Sequence, residues 1–383
     1  MSDEPTQSRR FLRVLVVCPS WVGDVVMATP ALRLIRDSMP GVFLGALVRP
    51  GIDQVLSGTT FFDEIHVDRA AGVMGPKMAG AKIRPRKYDA ALLFSNSLRT
   101  ALVTRIAGIP RRIGYARDGR GVLLTDRLTA PQRDDDAPGS GKWAIVPACM
   151  YYWHAAQYLC DVAANNSSKT DTLRNVNTVL QADTPLPAHA RIELGTTDED
   201  ESAANEVLRS AGVEPDDTYV ILNPGGNNEA KRWPADRFAA IGSYIHDTFG
   251  LRVLVSGAPN ERELCDAIAQ QVGDGAVSLP AHGLTLGSLK SIIRRSELML
   301  TNDTGPRHMA AAFDVPLISL FGPTDHRWTT IPAPAGERII VADPTLDPKE
   351  SSNDHPDRCA IDRITVEAVR DEVGEMLATR LAN

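Results

Sequence analysis

The sequence predicts an α/β protein with two doubly wound domains, each built on a parallel sheet. Strand-like and helix-like segments alternate along most of the 383 residues. The strand-like runs are apolar throughout rather than alternating, as expected when helices cover both faces of a parallel sheet. The length fits two domains, and a hydrophobic content of 43% can fill two ordinary cores.

The first half contains three short aliphatic runs, and longer segments with helical patterning separate or follow them. The predicted strands are Arg13–Cys18, Val42–Val48 and Ala90–Phe94, and the predicted helices are Asp24–Ser38, Leu98–Ala107 and Ala144–Ala164.

The second half shows the same alternation, and Pro234 stands where the first position of a helix is expected. The predicted strands are Tyr219–Leu222, Arg252–Ser256, Ala276–Leu279, Leu298–Leu300 and Pro316–Leu320. The predicted helices are Pro234–Thr248, Glu261–Gln271, Leu286–Ser296, Pro306–Phe313 and, at the end of the chain, Thr365–Leu381.

The domain boundary is expected in the segment 181–187, which has two prolines and no periodicity. The predicted domains are therefore 1–184 and 185–364, and a last helix in 365–383 could pack back toward the first domain. Residues 134–141 are rich in Asp, Gly and Ser and predict a mobile loop.

Several protein classes are disfavoured by composition. No run reaches the ~18–20 apolar residues of a membrane span, and the polar residues 1–10 carry no signal-peptide core, so a cytoplasmic location is expected. Five scattered cysteines without a C-x-x-C pair, and histidines without ligand spacing, predict neither disulfides nor a metal site. The chain has no G-x-G-x-x-G and no P-loop, and no cofactor is expected.

Positive charge is concentrated between Arg69 and Arg133. This stretch holds 14 Lys and Arg against three acidic residues, an excess of +11 in a protein whose net charge is −7. It is either a set of solvated helix faces or a surface for an anionic substrate or membrane. Aromatic residues make up only 5% of the chain, which gives little support for nucleic-acid binding.

The turn after the first strand carries a candidate base, Asp24, in the motif Pro-Ser-Trp-Val-Gly-Asp (19–24). Gly23 would let the chain turn tightly and expose the carboxylate at the sheet edge. A helix N-terminus favours the ionised form, so Asp24 could take a proton from an acceptor hydroxyl. The alternative is a simple helix cap.

Two loops in the second half suit a phosphate group. After the strand ending at Leu222, Gly226 permits close approach of a ligand, while Asn227, Asn228 and Lys231 supply donors and a cation. The alternative is an ordinary β-to-α loop.

The segment Thr301–Ala312 offers a carboxylate and then backbone N–H groups at a helix start, from Asp303, Thr304 and Gly305, with His308 one turn further on. Glu261 could hold ribose hydroxyls, and Phe321–Asp325 could form a pocket floor. Glu261 could equally be a cap, and His308 a structural hydrogen-bonding residue.

These motifs resemble the heptosyltransferases of lipopolysaccharide core assembly, glycosyltransferase family nine. The resemblance lies in Pro-Ser-Trp-Val-Gly-Asp, Ala-Lys-Arg-Trp-Pro (230–234), Thr-Asn-Asp-Thr-Gly (301–305), His-Met-Ala-Ala-Ala (308–312) and Phe-Gly-Pro-Thr (321–324), in order along most of the chain. The Trp-Val before Gly-Asp and the Ala-Lys-Arg-Trp-Pro favour the heptosyltransferase II branch.

The resemblance implies a GT-B fold of two Rossmann-like domains, with the acceptor site mainly in the first and the donor site mainly in the second. It implies an inverting transfer from ADP-heptose to the inner core on lipid A, with transient contact at the inner face of the inner membrane. Asp24 matches the general base and Lys231 the lysine near the donor phosphates. The implied donor site includes Gly226, Asn227, Asn228, Glu261, Asp303, Thr304, Gly305 and His308, and the acceptor site Ser20, Trp21, Gly23, Arg111 and Arg112.

Some residues depart from the family pattern, notably Pro306-Arg307 before His308 and the pair Asn227-Asn228. Pro306 lacks an N–H group, and Arg307 could compensate for the missing donor or alter donor choice. Another nucleotide sugar, used for a surface polysaccharide, and a non-catalytic nucleotide-sugar-binding protein therefore stay open as alternatives. Asp24 and Lys231 together disfavour the non-catalytic alternative.

Overall fold

A computed structural model describes residues 11–132, 143–164, 186–332 and 336–382, together with the backbone of 174–179. The chain forms two compact units. The first comprises Met1–Asp53, Thr59–Arg133 and Trp143–Ala190, and the second Gln54–Gly58, Asp134–Lys142 and Arg191–Asn383. The predicted boundary at 184/185 and the predicted loop 134–141 lie outside the described residues.

The first unit contains a seven-stranded sheet in the order β3-β2-β1-β4-β5-β6-β7, and every neighbouring pair is parallel. The central strands are buried aliphatic runs, which places them between two helical layers. The strands are β1 Arg13–Val17, β2 Phe43–Val48, β3 Glu64–Val67, β4 Ala90–Leu93, β5 Arg111–Tyr115, β6 Asp126–Thr129 and β7 Arg174–Val179.

The helices of this part of the chain are α1 Val22–Met27, α2 Thr29–Ser38, α3 Ile52–Leu56, α4 Gly75–Ile83, α5 Leu98–Ile106 and α6 Ala148–Ala164. The single helix predicted over 24–38 is two helices that meet at Ala28. Pro30 explains the break, because it has no N–H group to continue the hydrogen-bond ladder of α1. The helix predicted from Ala144 starts only at Ala148, directly after Pro147.

The second unit has a six-stranded parallel sheet in the order β10-β9-β8-β11-β12-β13. Its strands are β8 Tyr219–Asn223, β9 Arg252–Val255, β10 Ala276–Ser278, β11 Met299–Asn302, β12 Leu317–Phe321 and β13 Glu337–Val341. Its helices are α7 Asp198–Ser210, α8 Ala235–Phe249, α9 Arg262–Val272, α10 Leu286–Arg294, α11 Gly305–Ala312 and α12 Val366–Leu381. The predicted α/β class with two doubly wound parallel sheets is confirmed.

The last helix, α12, packs on α8 within the second unit. Its residues Val369, Val373 and Leu377 are fully buried in the core that also contains Trp233 and Phe238. Their spacing of four residues puts them on one face of the helix. The packing toward the first domain that was considered from the sequence stays a prediction.

A buried lysine on α10 holds two loops of the second unit together. The Lys290 side chain is fully buried, and its ammonium donates to the carbonyls of Ser57 at 2.8 Å and Gly195 at 2.9 Å. Asp200, in the first turn of α7, lies 3.3 Å from the same ammonium. Burial lowers the pKa of Lys290, and Asp200 partly opposes this effect.

Each sheet has one point at which the strand order reverses, between β1 and β4 in the first and between β8 and β11 in the second. Adjacent loops leave such a point in opposite directions and open a crevice beyond the carboxyl ends of the strands, where ligands of doubly wound proteins bind. Asp24 follows β1, Lys231 follows β8, and Asp303 directly follows β11. The fold therefore places the principal predicted residues at these two points.

Candidate active site

The first crevice presents Asp24 in the opening turn of α1. Trp21 caps this helix in an extended conformation and is 60% exposed. Asp24 is the third residue of this helix. Its carboxylate accepts a hydrogen bond at 3.1 Å from the hydroxyl of Tyr152 on α6. Two helices that are distant in the sequence thus hold the predicted base.

Tyr152 is a residue that the sequence interpretation missed. Its ring is buried and lies 5.0 Å, centroid to centroid, from the ring of Phe94. Burial first, and the adjacent Asp24 carboxylate second, raise the pKa of Tyr152 well above its usual value. The phenol therefore stays protonated and serves as a permanent donor to Asp24.

Two other residues of the motif have different surroundings from those expected. Gly23 is buried inside α1 and is not the residue at which the chain turns, because the helix already begins at Val22. Ser20 is half-buried immediately before the cap. Only Trp21 and Ser20 of the predicted acceptor group thus have accessible side chains beside Asp24.

Arg111 and Arg112 are not brought together with Asp24. They begin β5 and lie level with Ala90 and Ala91, which in turn lie level with Val14 and Leu15 of β1. Because the strands are parallel, both arginines are at the amino edge of the sheet, and Asp24 lies beyond the carboxyl edge. A strand advances about 3.3 Å per residue, so at least ~10 Å along the strand direction separates them.

Both arginines have structural partners instead. Arg111 forms an ion pair with Asp126 at 2.6 Å. Arg112 is buried and donates to the backbone carbonyls of Leu123 and Ile109. These contacts stabilise β5 and the segment that follows it, so we do not include either arginine in the acceptor site proposed below.

A different arginine supports the carboxyl edge. Arg120 is fully buried and donates to the Tyr115 carbonyl at 2.8 Å, to Asn96 Oδ1 at 2.8 Å and to the Ser95 carbonyl. Burial lowers its pKa to about 10, so it remains a cation at neutral pH. The basic stretch was the only sequence signal for this residue, and it did not distinguish Arg120 from its neighbours.

The second crevice contains an ion pair between the two most specific predicted donor residues. Lys231 Nζ lies 3.0 Å from Asp303 Oδ2. Burial alone would raise the pKa of Asp303, but the cations of Lys231 and then Arg307 outweigh it and hold the pKa low. Thr324 and Thr329 also donate to this carboxylate, at 3.4 and 3.3 Å. The predicted pocket floor is thus next to Asp303.

Glu261 fastens the glycine loop. Its carboxylate accepts from the backbone N–H groups of Gly226 and Ala258, each at 2.8 Å. A Cβ atom on Gly225 would lie 2.2 Å from the same carboxylate, so a larger residue there would displace the Glu261 side chain. The Glu261 side chain therefore joins the loops after β8 and β9 and also acts as a helix cap. Binding of ribose hydroxyls by Glu261 stays a prediction.

Thr304 caps α11, and its hydroxyl is engaged within the protein. Asn223 Nδ2 donates to it at 2.9 Å, and Ser256 Oγ in turn donates to Asn223 Oδ1 at 3.1 Å. Gly305 is the first helical residue, so the backbone N–H groups of this first turn have no intrahelical acceptor. The anion-binding capacity of this helix start therefore lies in its backbone and not in the threonine hydroxyl.

Arg307 does not compensate for Pro306 in the way considered from the sequence. The guanidinium is fully buried and binds the Glu337 carboxylate on β13 with two hydrogen bonds of 2.7 and 2.9 Å. It also donates to the Thr329 carbonyl at 2.9 Å. This bidentate pair positions the start of α11 and occupies the guanidinium.

His308 is buried behind the same helix start. It is 3% exposed, and its Nδ1 atom has no hydrogen-bond partner. Burial, and next the Arg307 cation, lower its pKa to about 3, although Asp303 opposes the shift. His308 is therefore a neutral imidazole over the ordinary pH range. The predicted Asn227 and Asn228 are both exposed, and Asn228 caps the short helix that carries Lys231.

Within the described residues, no group of three or more His, Cys, Asp or Glu side chains is arranged to hold a metal ion. No helix in this part of the chain is long and apolar enough to cross a membrane. All five cysteines are buried, as expected for packing residues.

Comparison with known proteins identifies the family. The sequence model of glycosyltransferase family 9 (heptosyltransferase) matches residues 79–137 and 159–355. The lipooligosaccharide heptosyltransferase 2 of Campylobacter jejuni is 34% identical over 329 residues, which are 83% of this chain and 83% of that protein.

Two solved structures share the fold. The E. coli ADP-heptose lps heptosyltransferase II has a TM-score of 0.71 and 22% identity, and the match covers 96% of this chain and 99% of that one. The E. coli heptosyltransferase WaaC with ADP-2-deoxy-2-fluoro heptose has a TM-score of 0.59 and 20% identity over 95% of this chain and 99% of that one. The fold predicted from the motif resemblance is confirmed. With the family match over more than half of its length, the chain belongs to glycosyltransferase family 9, the heptosyltransferases, and is an enzyme.

Proposed function

We propose that this enzyme transfers L-glycero-D-manno-heptose from ADP-heptose to the inner core of a lipopolysaccharide, with inversion at the anomeric carbon. The observation that carries the proposal is the Lys231–Asp303 pair, 3.0 Å apart at the crevice of the second sheet and beside the N-terminus of α11. A cation and a helix start together suit a nucleoside diphosphate. Relatives named lipopolysaccharide heptosyltransferase 2 support the substrate assignment.

Asp24 acts as the general base in this proposal. Its carboxylate takes the proton of the acceptor hydroxyl while the hydroxyl oxygen forms a bond to the anomeric carbon and the bond from that carbon to the ADP oxygen breaks. A single displacement of this kind inverts the anomeric centre. The Tyr152 hydroxyl donates to Oδ1 of this carboxylate at 3.1 Å, and this contact positions the base.

The leaving ADP gains negative charge as its bond to the sugar breaks. The Lys231 ammonium has three N–H donors, and Asp303 uses one of them, so the others can contact the diphosphate. The backbone N–H groups in the first turn of α11 add a second positive end. Both groups stabilise charge that is larger in the transition state than in the bound donor, which is the requirement for catalysis.

The acceptor is a lipid-linked saccharide in this proposal, so the enzyme works at the inner face of the inner membrane. The excess of +11 between Arg69 and Arg133 supports contact with an anionic substrate or surface. The accessible acceptor-side candidates are Asp24, Ser20 and Trp21.

Calorimetric titration with ADP-heptose, ADP, GDP-mannose and UDP-glucose tests the donor. We expect ADP and ADP-heptose to bind selectively. Lys231→Ala should weaken both by at least about tenfold, the scale of one charge-assisted hydrogen bond, while Lys349→Ala, on an exposed lysine of the same unit, should not. Preference for a GDP or UDP sugar would replace the proposed donor.

Single-turnover kinetics test the base. Asp24→Asn should bind ADP-heptose normally and lose roughly 10²–10⁴-fold in turnover. The matched control is Asp37→Asn, because that side chain is 66% exposed in the same unit. Turnover near wild type in the Asp24 variant would remove Asp24 from the mechanism.

A further inference from the structure

Three exposed apolar side chains stand together where the chain leaves β3 and enters α4. Val73 is 97% exposed, and Met74 and Met78, one helical turn apart, are 55% and 62% exposed. Single exposed apolar residues are ordinary on a protein surface, whereas a group of them marks a contact site. These three residues form the centre of what we call the α4 surface.

The direction of these side chains follows from the buried side of the helix. Gly75, Ala79 and Ile83 are buried at a spacing of four residues, so this stripe of α4 faces the protein. Met74 and Met78 precede two of these positions by one residue each, which turns them about 100° away from the stripe. The methionines therefore point outward on one side of the helix.

A cavity of about 250 Å³ lies beside Met78. Its walls include Leu47, Val67 and Ala79, and Arg69, Lys82 and Asp68 also line it. The Asp68 carboxylate is paired with the Arg99 guanidinium at 2.5 Å, so the two cations keep their excess positive charge. Apolar walls with two cations suit an amphiphile that carries an apolar chain and an anionic head group. The α4 surface thus comprises Val73, Met74, Met78, the cavity and its two cations.

Positive charge predominates around the α4 surface. Residues 69–88 contain six basic and no acidic residues, in a protein whose net charge is −7. Each of the six is exposed, and one of them, Arg86, forms an ion pair with Glu64. The basic residues are Arg69, Lys77, Lys82, Arg84, Arg86 and Lys87. Exposed apolar groups among cations are the composition of a protein surface that binds anionic lipid.

The α4 surface lies at the same edge of the sheet as the proposed base. It follows the carboxyl end of β3, and α1 with Asp24 follows the carboxyl end of β1, two strands away in the same parallel sheet. A surface at this edge would bring the crevice of the first unit to a lipid-linked acceptor.

We propose that the α4 surface docks on an anionic phospholipid membrane, with Val73, Met74 and Met78 entering the interface and Arg69, Lys77 and Lys82 contacting head-group phosphates. This deepens the proposed function and rests on it for the identity of the lipid-linked acceptor. Docking itself requires no donor and no acceptor, so it is measured separately from the reaction.

Co-sedimentation of the full-length protein with vesicles tests the proposal. Vesicles of phosphatidylethanolamine with phosphatidylglycerol should bind the protein, and phosphatidylcholine vesicles should bind it much less. The triple variant Val73→Ser, Met74→Ser, Met78→Ser should partition about tenfold or more weakly. Lys77→Gln and Lys82→Gln should each cost about fivefold at low salt.

Leu12→Ser is the matched control, because Leu12 is 70% exposed and precedes β1 at the opposite, amino edge of the same sheet. It should bind vesicles like the wild type. Equal binding of the triple variant and Leu12→Ser, or no preference of the wild type for anionic vesicles, would overturn the docking proposal. Such a result would leave the proposed reaction intact if calorimetry still shows ADP-heptose binding. If the vesicles bind as expected but calorimetry shows no ADP-heptose binding, the docking proposal stands and the proposed reaction fails.

Discussion

Replacing His308 with a residue that does not titrate should make the second unit less sensitive to acid. His308 is 3% exposed, its Nδ1 has no partner, and its pKa is about 3. An unfolded histidine has a pKa of about 6.5. Below pH 6.5 the unfolded chain therefore takes up a proton that the folded unit refuses, and stability falls as the pH falls from about 6.5 toward 3.

The size of the effect follows from the two pKa values. A pH of 5 is about 1.5 units below the pKa of the unfolded histidine, while the folded histidine is still neutral at this pH. At about 1.36 kcal/mol per unit, this lowers the free energy of unfolding by about 2 kcal/mol relative to the alkaline limit. At pH 7 the same term is only a few tenths of a kcal/mol, so nearly all of the loss that is present at pH 5 develops between pH 7 and pH 5.

Urea unfolding followed by circular dichroism measures this difference. Wild type and His308→Asn are each unfolded at pH 7 and pH 5, with His282→Asn, a partly exposed histidine of the same unit, as the control. The wild type and the control should lose about 2 kcal/mol more than His308→Asn. With an m value of about 2 kcal/mol/M, this corresponds to an additional shift of about 1 M in the urea midpoint.

The comparison of pH dependences removes the effect of the substitution itself, since a change in packing alters the stability of the variant at both pH values. Other groups that titrate in this range contribute equally to all three proteins. If His308→Asn loses as much stability as the wild type between pH 7 and pH 5, His308 is not held neutral by burial and the reasoning fails.

Two further variants test contacts described above. Tyr152→Phe removes the hydroxyl that donates to Asp24, and the loss of a hydrogen bond to a charged group, about 1.5 kcal/mol, should lower turnover about tenfold without changing the affinity for ADP-heptose. Tyr158→Phe, on the same helix, is the kinetic control. Equal turnover of the two variants would show that Tyr152 does not position the base. Lys290→Met breaks an ion pair whose cation is fully buried and should cost about 3–5 kcal/mol, or roughly 6–20 °C in melting temperature. An exposed Lys349→Met should melt within about 2 °C of the wild type, and a similar result for Lys290→Met would contradict the buried-pair interpretation.

Strands that are built on short aliphatic runs were predictable. β1, β8 and β11 carry enough apolar character to be recognised, and their order places the functional loops after them. The predicted ends agree within a residue or two because polar turns follow directly.

Other elements carried weaker local signals. The strands β3 Glu64–Val67 and β5 Arg111–Tyr115 contain charged residues, and the helix α7 Asp198–Ser210 is largely polar, so none of them was predicted. The backbone hydrogen bonds of the two strands form only when neighbouring strands are in place, so propensity within each segment could not indicate them. The helix α7 did carry a local signal, the capping box of Thr197 and Asp200, which the sequence interpretation missed.

The sequence by itself determined the alternation of strands and helices, the three loops with Asp24, Lys231 and Asp303, and the family, because order along the chain and residue type suffice for these. Only the tertiary structure decided which charged side chains are paired with other residues of the protein. Register puts Arg111 at the edge away from Asp24, and Arg307 is bound by Glu337, thirty residues further along the chain. Such pairings depend on distances between residues far apart in sequence, and the burial that sets their charge exists only after the sheets are covered.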